Sequence, residues 1–472
     1  DADKIPEPDI LDRVMGYFDD PKVAFVQTPQ YFYNVPVNDP LGSDAPMFYG
    51  PIMIGKDGWN AAFFCGSNAV LRREALFQLG LVKYVTETEE RLRAALSQVP
   101  LDVYGAGTEQ RYRQASQQIA LAAEAAVRSM QQGALISDVL DSFNNSIHAA
   151  QRDVVEDDLD QIVRDLAAIQ ALEGEGDSLS APSGEAIQQN MASVADDLLA
   201  VAPPAFESFG LDPRLRQILQ MDTGQVLDVE PLATFSITED MATAMSLHAI
   251  GWQSVFHPEI LARGLAPEDL GSALGQRLRW GAGTLQVLRL QNPLLIRGLS
   301  WPQRIQYFTT MYSYFSGFAS LIFLIAPIVY LLTGISPVIS FAGDFLWHII
   351  PYLIANRIMF AFVAWKIPVF RGEQYNLALF PLWIQAVLTV FGGDRLTFNV
   401  TPKERQSGIF LKLVQPQMLI VAMLALSCLF GLFALLVHWR HDTMGVAINI
   451  FWGLYDIFML SVIIRAAVYR PH

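Results

Sequence analysis

Hydrophobic and polar positions divide this chain into four stretches of different texture. Residues 1–83 carry short apolar runs bounded by turn residues. Val23-Ala24-Phe25-Val26-Gln27-Thr28 is one, after a helix start near Pro6-Glu7-Pro8. Phe63-Phe64-Cys65-Gly66-Ser67-Asn68-Ala69-Val70 is another. Such runs predict strands of a compact α/β unit. The second leads into Arg72-Arg73-Glu74-Ala75-Leu76, a helix start. Residues 84–230 lose aromatics and fill with Ala, Gln, Asp and Glu. There Ile136, Leu140, Phe143, Ile147, Ala150 and Val154 alternate steps of four and three, and Ile162, Leu166 and Ile169 resume the pattern after one irregular step. That spacing is a helical seam close to a heptad. A Gly/Ser/Glu/Pro-rich linker follows from Glu173 to Gly184. The stretch reads as an acidic helical insertion with a solvated charged face; a regulatory or partner-docking module is the sharper alternative. Residues 231–303 return to α/β: a strand at Ala233–Ile237, a helix from Met241 to about Ile250 and a strand at Gly251–Phe256.

The last stretch, 304–472, has membrane texture. A spanning helix needs about 20 mostly apolar residues. Ser316–Gly334, Phe345–Trp365, Leu413–Val437 and Met444–Ala467 meet that length. A fifth run, Leu377–Phe391, is flanked by Lys366 and Arg371 on one side and by Arg395, Lys403, Arg405 and Lys412 on the other. Positive charge marks the cytosolic side. With both flanks cytosolic, this run lies at the interface as an amphipathic helix, with Trp383 as an anchor. Four crossings then place Arg304, the 366–412 segment and Arg470 inside.

Composition fits this mixture. The 472 residues are 52% apolar, with a mean hydropathy of +0.28. The net charge of −15 argues against a nucleic-acid partner, because phosphate binding needs clustered Lys and Arg. Two cysteines, Cys65 and Cys428, make no disulfide framework and fit reduced, cytosol-facing chemistry. The chain opens on Asp1-Ala2-Asp3, which reads as mid-domain, so the expectation is a piece lacking its front part.

Four groups carry candidate chemistry. Asp1 and Asp3, one residue apart, can hold Mg²⁺ or Mn²⁺ against a diphosphate. Alone, that pair is a weak signal. Thr238-Glu239-Asp240 stands where a strand enters a helix, so Asp240 can point into a cleft as a general base. Taken alone, the triplet reads first as a helix cap. Gln276, Arg279 and Trp280 share one helical face. Arg279 suits a leaving diphosphate, and Trp280 offers a plate for a sugar ring. An interfacial Trp/Arg anchor is the competing reading. Phe398, Val400, Thr401 and Lys403 lie on a loop between membrane elements, either a connector or a flap over a nucleotide.

These groups occur in one order, and in that order the chain resembles family 2 glycosyltransferases of the cellulose synthase type. The resemblance runs from Asp1 to about Lys83 and from about Ala233 to the C-terminus. It implies a partial GT-A domain, split by the helical insertion and followed by a four-crossing transmembrane bundle with interfacial helices. It implies a metal at Asp1 and Asp3, a catalytic base at Asp240, and nucleotide diphosphate contacts from Gln276, Arg279, Thr401 and Lys403. Trp280, Cys65, Gly66, Ser67 and Glu239 would meet the acceptor, in a segment that also includes Gly55, Asp57 and Trp59. Phe398 and Val400 would belong to a gating loop at about 395–410. The activity implied is polymerisation of a β-glucan from UDP-glucose, with export through the inner membrane from a cytosolic catalytic domain. Partners implied are the UDP-sugar, the growing polysaccharide, lipid and an accessory export subunit. Another β-linked polymer (a β-1,3- or mixed-linkage glucan, or a hyaluronan- or chitin-like chain) is the alternative product, and a non-catalytic membrane scaffold the alternative class. Two departures stand out: Met53 replaces a frequent Gln, and no Arg-x-x-x-Arg motif of a cyclic-di-GMP-binding PilZ region follows the last span.

Overall fold

A computed structural model describes residues 4–36, 38–105, 112–172, 194–195, 197–201, 209, 238–336, 342–365, 367–392 and 410–469. The chain forms two compact units, residues 81–229 and the remainder.

In the larger unit, the soluble part is built on two small sheets. Strand β2 (Val23–Gln27) is central in one, antiparallel to β4 (Ala69–Leu71) and parallel to β5 (Gln253–Phe256). All five β2 residues are buried, as expected of a continuous apolar run flanked on both edges. The other sheet orders β1 (Ile5–Pro6), β6 (Ala262–Gly264) and β3 (Tyr31–Phe32). Of the expected Phe63–Val70 strand only Ala69 and Val70 are paired, in β4, which runs on to Leu71. Gly66 and Asn68 adopt left-handed φ values of 76° and 57°, which turn the preceding residues into a loop. Short helices α1 (Ile10–Val14) and α2 (Met53–Asp57) lie between strands. Helix α3 (Arg73–Gly105) starts directly after β4.

In residues 81–229, the later part of α3 packs with α4 (Arg113–Gln131) and α5 (Ile136–Leu172). Ile136 packs against the core that buries Leu140, Phe143, Ile147, Ala150 and Val154, together with Leu92, Leu96, Ile119 and Ala123. Ile162 departs from that seam and is 53% exposed.

The remaining helices of the larger unit are α6 (Glu239–Ala249), α7 (Leu270–Leu290), α8 (Trp301–Tyr312), α9 (Ser316–Thr333), α10 (Ala342–Val363), α11 (Val369–Ala378), α12 (Phe380–Gly392), α13 (Gln415–Leu436) and α14 (Thr443–Val468). Helix α7 starts at Asp269, whose carboxylate accepts the Ser272 amide at 2.8 Å. Helix α8 starts at a capping box formed by Ser300 and Gln303. Among the described residues, four segments are long and apolar enough to cross a membrane: Trp301–Thr333, Gly343–Val363, Leu411–Leu436 and Thr443–Val468. They make this an integral membrane protein. The fifth run, Leu377–Phe391, falls on the end of α11 and on α12, two helices bent by 53°. One face of α12 (Ala386, Val387, Val390) packs on Ala282 and Leu285 of α7. Trp383, expected as an interfacial anchor, sits edge-on to Tyr314 at 5.1 Å and against Gly281.

Two cores support the soluble–membrane junction. Phe25, Met53, Phe63, Met245, Tyr307 and Met311 join the sheets to α6 and α8. Met53 is fully buried there, so it acts by packing. Burying a side chain such as Phe25 contributes about 1.5–3 kcal/mol. Leu324, Ile328, Ile420, Leu424, Leu460 and Ile463 fill the bundle, with Leu41 and Tyr375 packed into the same cluster.

Candidate active site

The loop after Phe63 is held by side chains of β2 and the turn that follows it. Gln27 is fully buried. Its Oε1 accepts the Cys65 amide at 2.8 Å and its Nε2 donates to the Ser67 carbonyl at 2.8 Å. Gln30 Nε2 donates to the Cys65 carbonyl at 3.0 Å and to Ser67 Oγ at 2.6 Å. The loop's backbone polar groups are therefore satisfied by two glutamines, which fixes a segment that no sheet ladder holds. Sequence reading placed Gln27 and Gln30 in and just after a strand but gave them no site role; the signal available was polar residues in an otherwise apolar strand and turn.

Asp240 lies in the first turn of α6, beside this loop. One carboxylate oxygen accepts the Met241 amide at 2.8 Å. The other faces Gly66, where an added Cβ would stand 3.2 Å from it. Gly66 thus meets two demands, a left-handed φ and close approach to a carboxylate. Thr238 occupies the N-cap position but makes no side-chain cap hydrogen bond. Burial raises the Asp240 carboxyl to about 6; the Met241 amide lowers it and the Glu239 charge raises it further. Glu239 itself is exposed. Tyr49 and Cys65 are hydrogen-bond partners beside Asp240, and burial pushes both the phenol and the thiol up. Lys56 is buried, donates to the Gln306 carbonyl at 2.7 Å, and is depressed by desolvation to about 8.

Helix α7 presents two functional faces. Gln276, Arg279, Trp280 and Gly283 follow one another at helical spacing on one face. Thr238 docks at Gly283, where an added Cβ would stand 2.7 Å from Thr238 Cγ2 and 3.0 Å from its backbone nitrogen. So the segment that begins α6 is seated on the face that carries Gln276, Arg279 and Trp280. Trp280 keeps 45% of its surface exposed. Desolvation lowers the Arg279 guanidinium. Tyr314 packs at Gly281, is a hydrogen-bond partner of Thr284, and lies within electrostatic reach of Asp240. The other face holds Arg277, which is buried and donates to the Leu41 carbonyl at 2.6 Å and to the Gly42 carbonyl. Its guanidinium lies 5.3 Å from the Tyr375 ring centre. Tyr375 donates in turn to the Pro40 carbonyl. The motif's second residue is thus a clasp between the soluble turn at 40–42 and helix α11.

A directed hydrogen-bond chain supports α6 from below. Ser254 Oγ donates to the Ala62 carbonyl at 2.8 Å, so it accepts from His248 Nε2 at 3.0 Å. His248 Nδ1 then accepts from the Tyr307 hydroxyl at 2.8 Å. Burial depresses His248 to about 3, so the ring is neutral in a single tautomer. Asp57 and Asn60 accept the Phe256 and Ser254 amides at 2.7 and 2.9 Å, so both residues brace β5. Trp59 is 57% exposed.

The structure thus brings Asp240 to Cys65 and Gly66, and seats Thr238 on the face of Gln276, Arg279 and Trp280. Asp1, Asp3, Phe398, Val400, Thr401 and Lys403 lie outside the described residues, as does the expected strand at 233–237. Among the described residues, no group of three or more His, Cys, Asp or Glu side chains is placed to hold a metal ion.

Residues 232–429 match the family model for cellulose synthase. The chain is 23% identical over 487 aligned residues to the cellulose synthase catalytic subunit [UDP-forming] of Pseudomonas fluorescens, covering 99% of this chain and 45% of that protein. It is 30% identical over 247 residues to the cellulose synthase 1 catalytic subunit [UDP-forming] of Komagataeibacter xylinus, covering 50% of this chain and 33% of that protein. Cellulose synthase 2 of Novacetimonas hansenii is 32% identical over 237 residues, 48% of this chain and 15% of that protein. The chain therefore spans less than half the length of these relatives. In its matched region, its membrane helices and the order of its motifs, the chain is similar to the cellulose synthase-like family 2 glycosyltransferases.

Proposed function

We propose that the intact protein is a processive, inverting glycosyltransferase that extends a β-glucan from UDP-glucose and passes it across the membrane. The observation that carries this reading is Asp240. A partly buried carboxyl, raised by desolvation to about 6, faces the Cys65–Gly66 turn, on a segment seated against the Gln276–Trp280 face. A base poised near the working pH is what deprotonating a sugar hydroxyl needs. The names of its relatives, cellulose synthase catalytic subunit [UDP-forming], support the same reaction.

The soluble residues form part of a GT-A domain on the cytosolic side of the inner membrane. The acceptor hydroxyl oxygen attacks the anomeric carbon as Asp240 takes its proton. The bond from that carbon to the diphosphate oxygen breaks, UDP leaves, and configuration inverts. Trp280 stacks under the acceptor ring; Cys65, Gly66, Ser67 and Glu239 line its other sides. Gln276, Arg279, Thr401 and Lys403 hold the diphosphate, and charge stabilisation of this kind is usually the largest catalytic contribution. Phe398 and Val400 belong to the loop that closes over the nucleotide. Asp1 and Asp3 would hold Mg²⁺ or Mn²⁺, which when bound screens the diphosphate charge. The product leaves along a path that includes Tyr312, Tyr314 and Trp365, toward an accessory export subunit.

The test uses membranes carrying the intact protein, fed UDP-glucose or UDP-N-acetylglucosamine, with linkage analysis of the product. A β-1,4-glucan from UDP-glucose that disappears in Asp240→Asn is expected. A different polymer would move the chain to another synthase specificity. Unchanged synthesis by Asp240→Asn would overturn the assignment of the base.

A further inference from the structure

A cavity of about 720 Å³ opens between the turn at 36–40, the start of α11 and the end of α14. It is lined by Asn38, Phe370, Arg371, Gln374, Arg465 and Tyr469, among others. Two arginines therefore converge on one cavity in a chain of net charge −15. Neither is in an ion pair with another described residue. Two acids on the flanking segments are already engaged. Glu373 pairs with Arg357 at 3.0 Å, and Asp39 accepts the Ser43 and Asp44 amides at 2.8 and 3.0 Å.

The placement of Arg371 is the informative feature. Arg465 stands in the last turn of α14, where a cation suits the helix dipole. Arg371 is the third residue of α11, where the dipole disfavours a cation. An anion in the cavity would reverse that penalty. The first turn of α11 follows Pro368, which makes no side-chain cap hydrogen bond. Its amides therefore add to the positive field on the same cavity wall. Gln374 and Tyr469 supply polar groups at the rim, and Phe370, stacked on Phe458 at 5.9 Å, continues the wall as apolar surface.

We propose that this cavity is a phosphate-binding site at the membrane boundary, with Arg371 and Arg465 as the paired cationic contacts. The chemistry recognised is a phosphate ester or phosphate ion. The adjoining apolar wall favours the headgroup of an anionic phospholipid as its source, since basic pockets between membrane helices take such headgroups. The site also has a route to the candidate active site. Its wall at Pro40 is bonded by Tyr375, and the adjoining Leu41 and Gly42 carbonyls are held by Arg277 of α7.

The intact protein in neutral detergent is titrated with phosphatidylglycerol, with phosphatidylcholine, or with inorganic phosphate. Retention is read by native mass spectrometry and stability by thermal unfolding. Wild type is expected to retain phosphatidylglycerol over phosphatidylcholine, and the Arg371→Gln/Arg465→Gln double variant to bind it about thirty-fold more weakly, at roughly five-fold per guanidinium. Stabilisation by inorganic phosphate alone, lost in the same double variant, assigns the site to a soluble phosphate. The single variant Arg465→Gln alters an exposed side chain and serves as the folded control; it should lose part of the effect. Equal retention of the two lipids with no response to phosphate, or variants that bind as wild type does, would overturn the proposal.

Discussion

The seat of Thr238 on Gly283 makes a prediction whose sign differs from that of an ordinary helical glycine. In Gly283→Ala the new Cβ would lie 2.7 Å from Thr238 Cγ2 and 3.0 Å from its backbone nitrogen. Ordinary contact begins at 3.4 Å, so the Thr238 methyl must retreat by about 0.7 Å and the backbone by about 0.4 Å. Replacing Gly by Ala inside a helix is worth about 0.8–1 kcal/mol in propensity, whereas overpacking costs about 1–3 kcal/mol. The two nearly offset, and the net destabilisation is at most about 2 kcal/mol. Activity is more sensitive, because Asp240 follows Thr238 by two residues and a 1 Å misplacement costs on the order of 100-fold. The expected outcome is a folded protein with sugar transfer reduced roughly 10- to 100-fold. Gly275→Ala is the internal control. It lies in the same helix, and nothing stands within 4 Å of its Cβ position. It should gain about 0.5–1 kcal/mol and keep its activity. Sugar transfer in membrane vesicles and thermal unfolding by fluorescence-detected size exclusion measure both variants. Wild-type activity in Gly283→Ala, or an equal loss in both variants, would refute the reasoning.

Transfer should fall as pH drops through about 6, where Asp240 protonates, and a pH–rate profile with its acid limb near 4 would contradict that assignment. The raised carboxyl also sets a stability cost: absent below the unfolded value near 3.8, it grows to about 3 kcal/mol above 6, so Asp240→Asn should abolish transfer and raise Tm at neutral pH. Arg277→Lys removes donors to Leu41 and Gly42 and the ring contact with Tyr375, and should cost about 2–4 kcal/mol; a Tm within a degree of wild type would show the clasp to be idle. Tyr307→Phe leaves His248 Nδ1 buried without its donor and should cost about 1–3 kcal/mol, measured as a shift of the thermal midpoint.

Much of the architecture was legible because its signals are local. Four apolar segments of spanning length, the Val23–Gln27 strand and the helix after Asp240 each announce themselves in a short window. The limits of Phe63–Val70 were not, because a left-handed Asn68 looks like any other Asn in an apolar run. Spacing put Arg279 on the face of Gln276 and Trp280, but the role of Arg277 was not legible, because only the packing of residues 40–42 and Tyr375 shows it buried. Gln27 and Gln30 hold a loop some 35 to 40 residues away, a relation that no periodicity encodes. The His248 chain is likewise invisible before four separate segments meet.

The clasp at Arg277 and Tyr375 has a consequence for biosynthesis. The Pro40–Gly42 turn finds its last partner 335 residues later in the chain. At about 5–20 residues per second, roughly 17 to 67 s of translation separate the two. Through that interval the ribosome must also deliver the spans at Trp301–Thr333 and Gly343–Val363 to the bilayer. The soluble fold around residues 40–42 therefore closes only after these spans have been made. A chain that failed to insert would leave that turn without its Tyr375 partner, so completion of the Gln276–Trp280 surroundings is timed to arrival in the membrane.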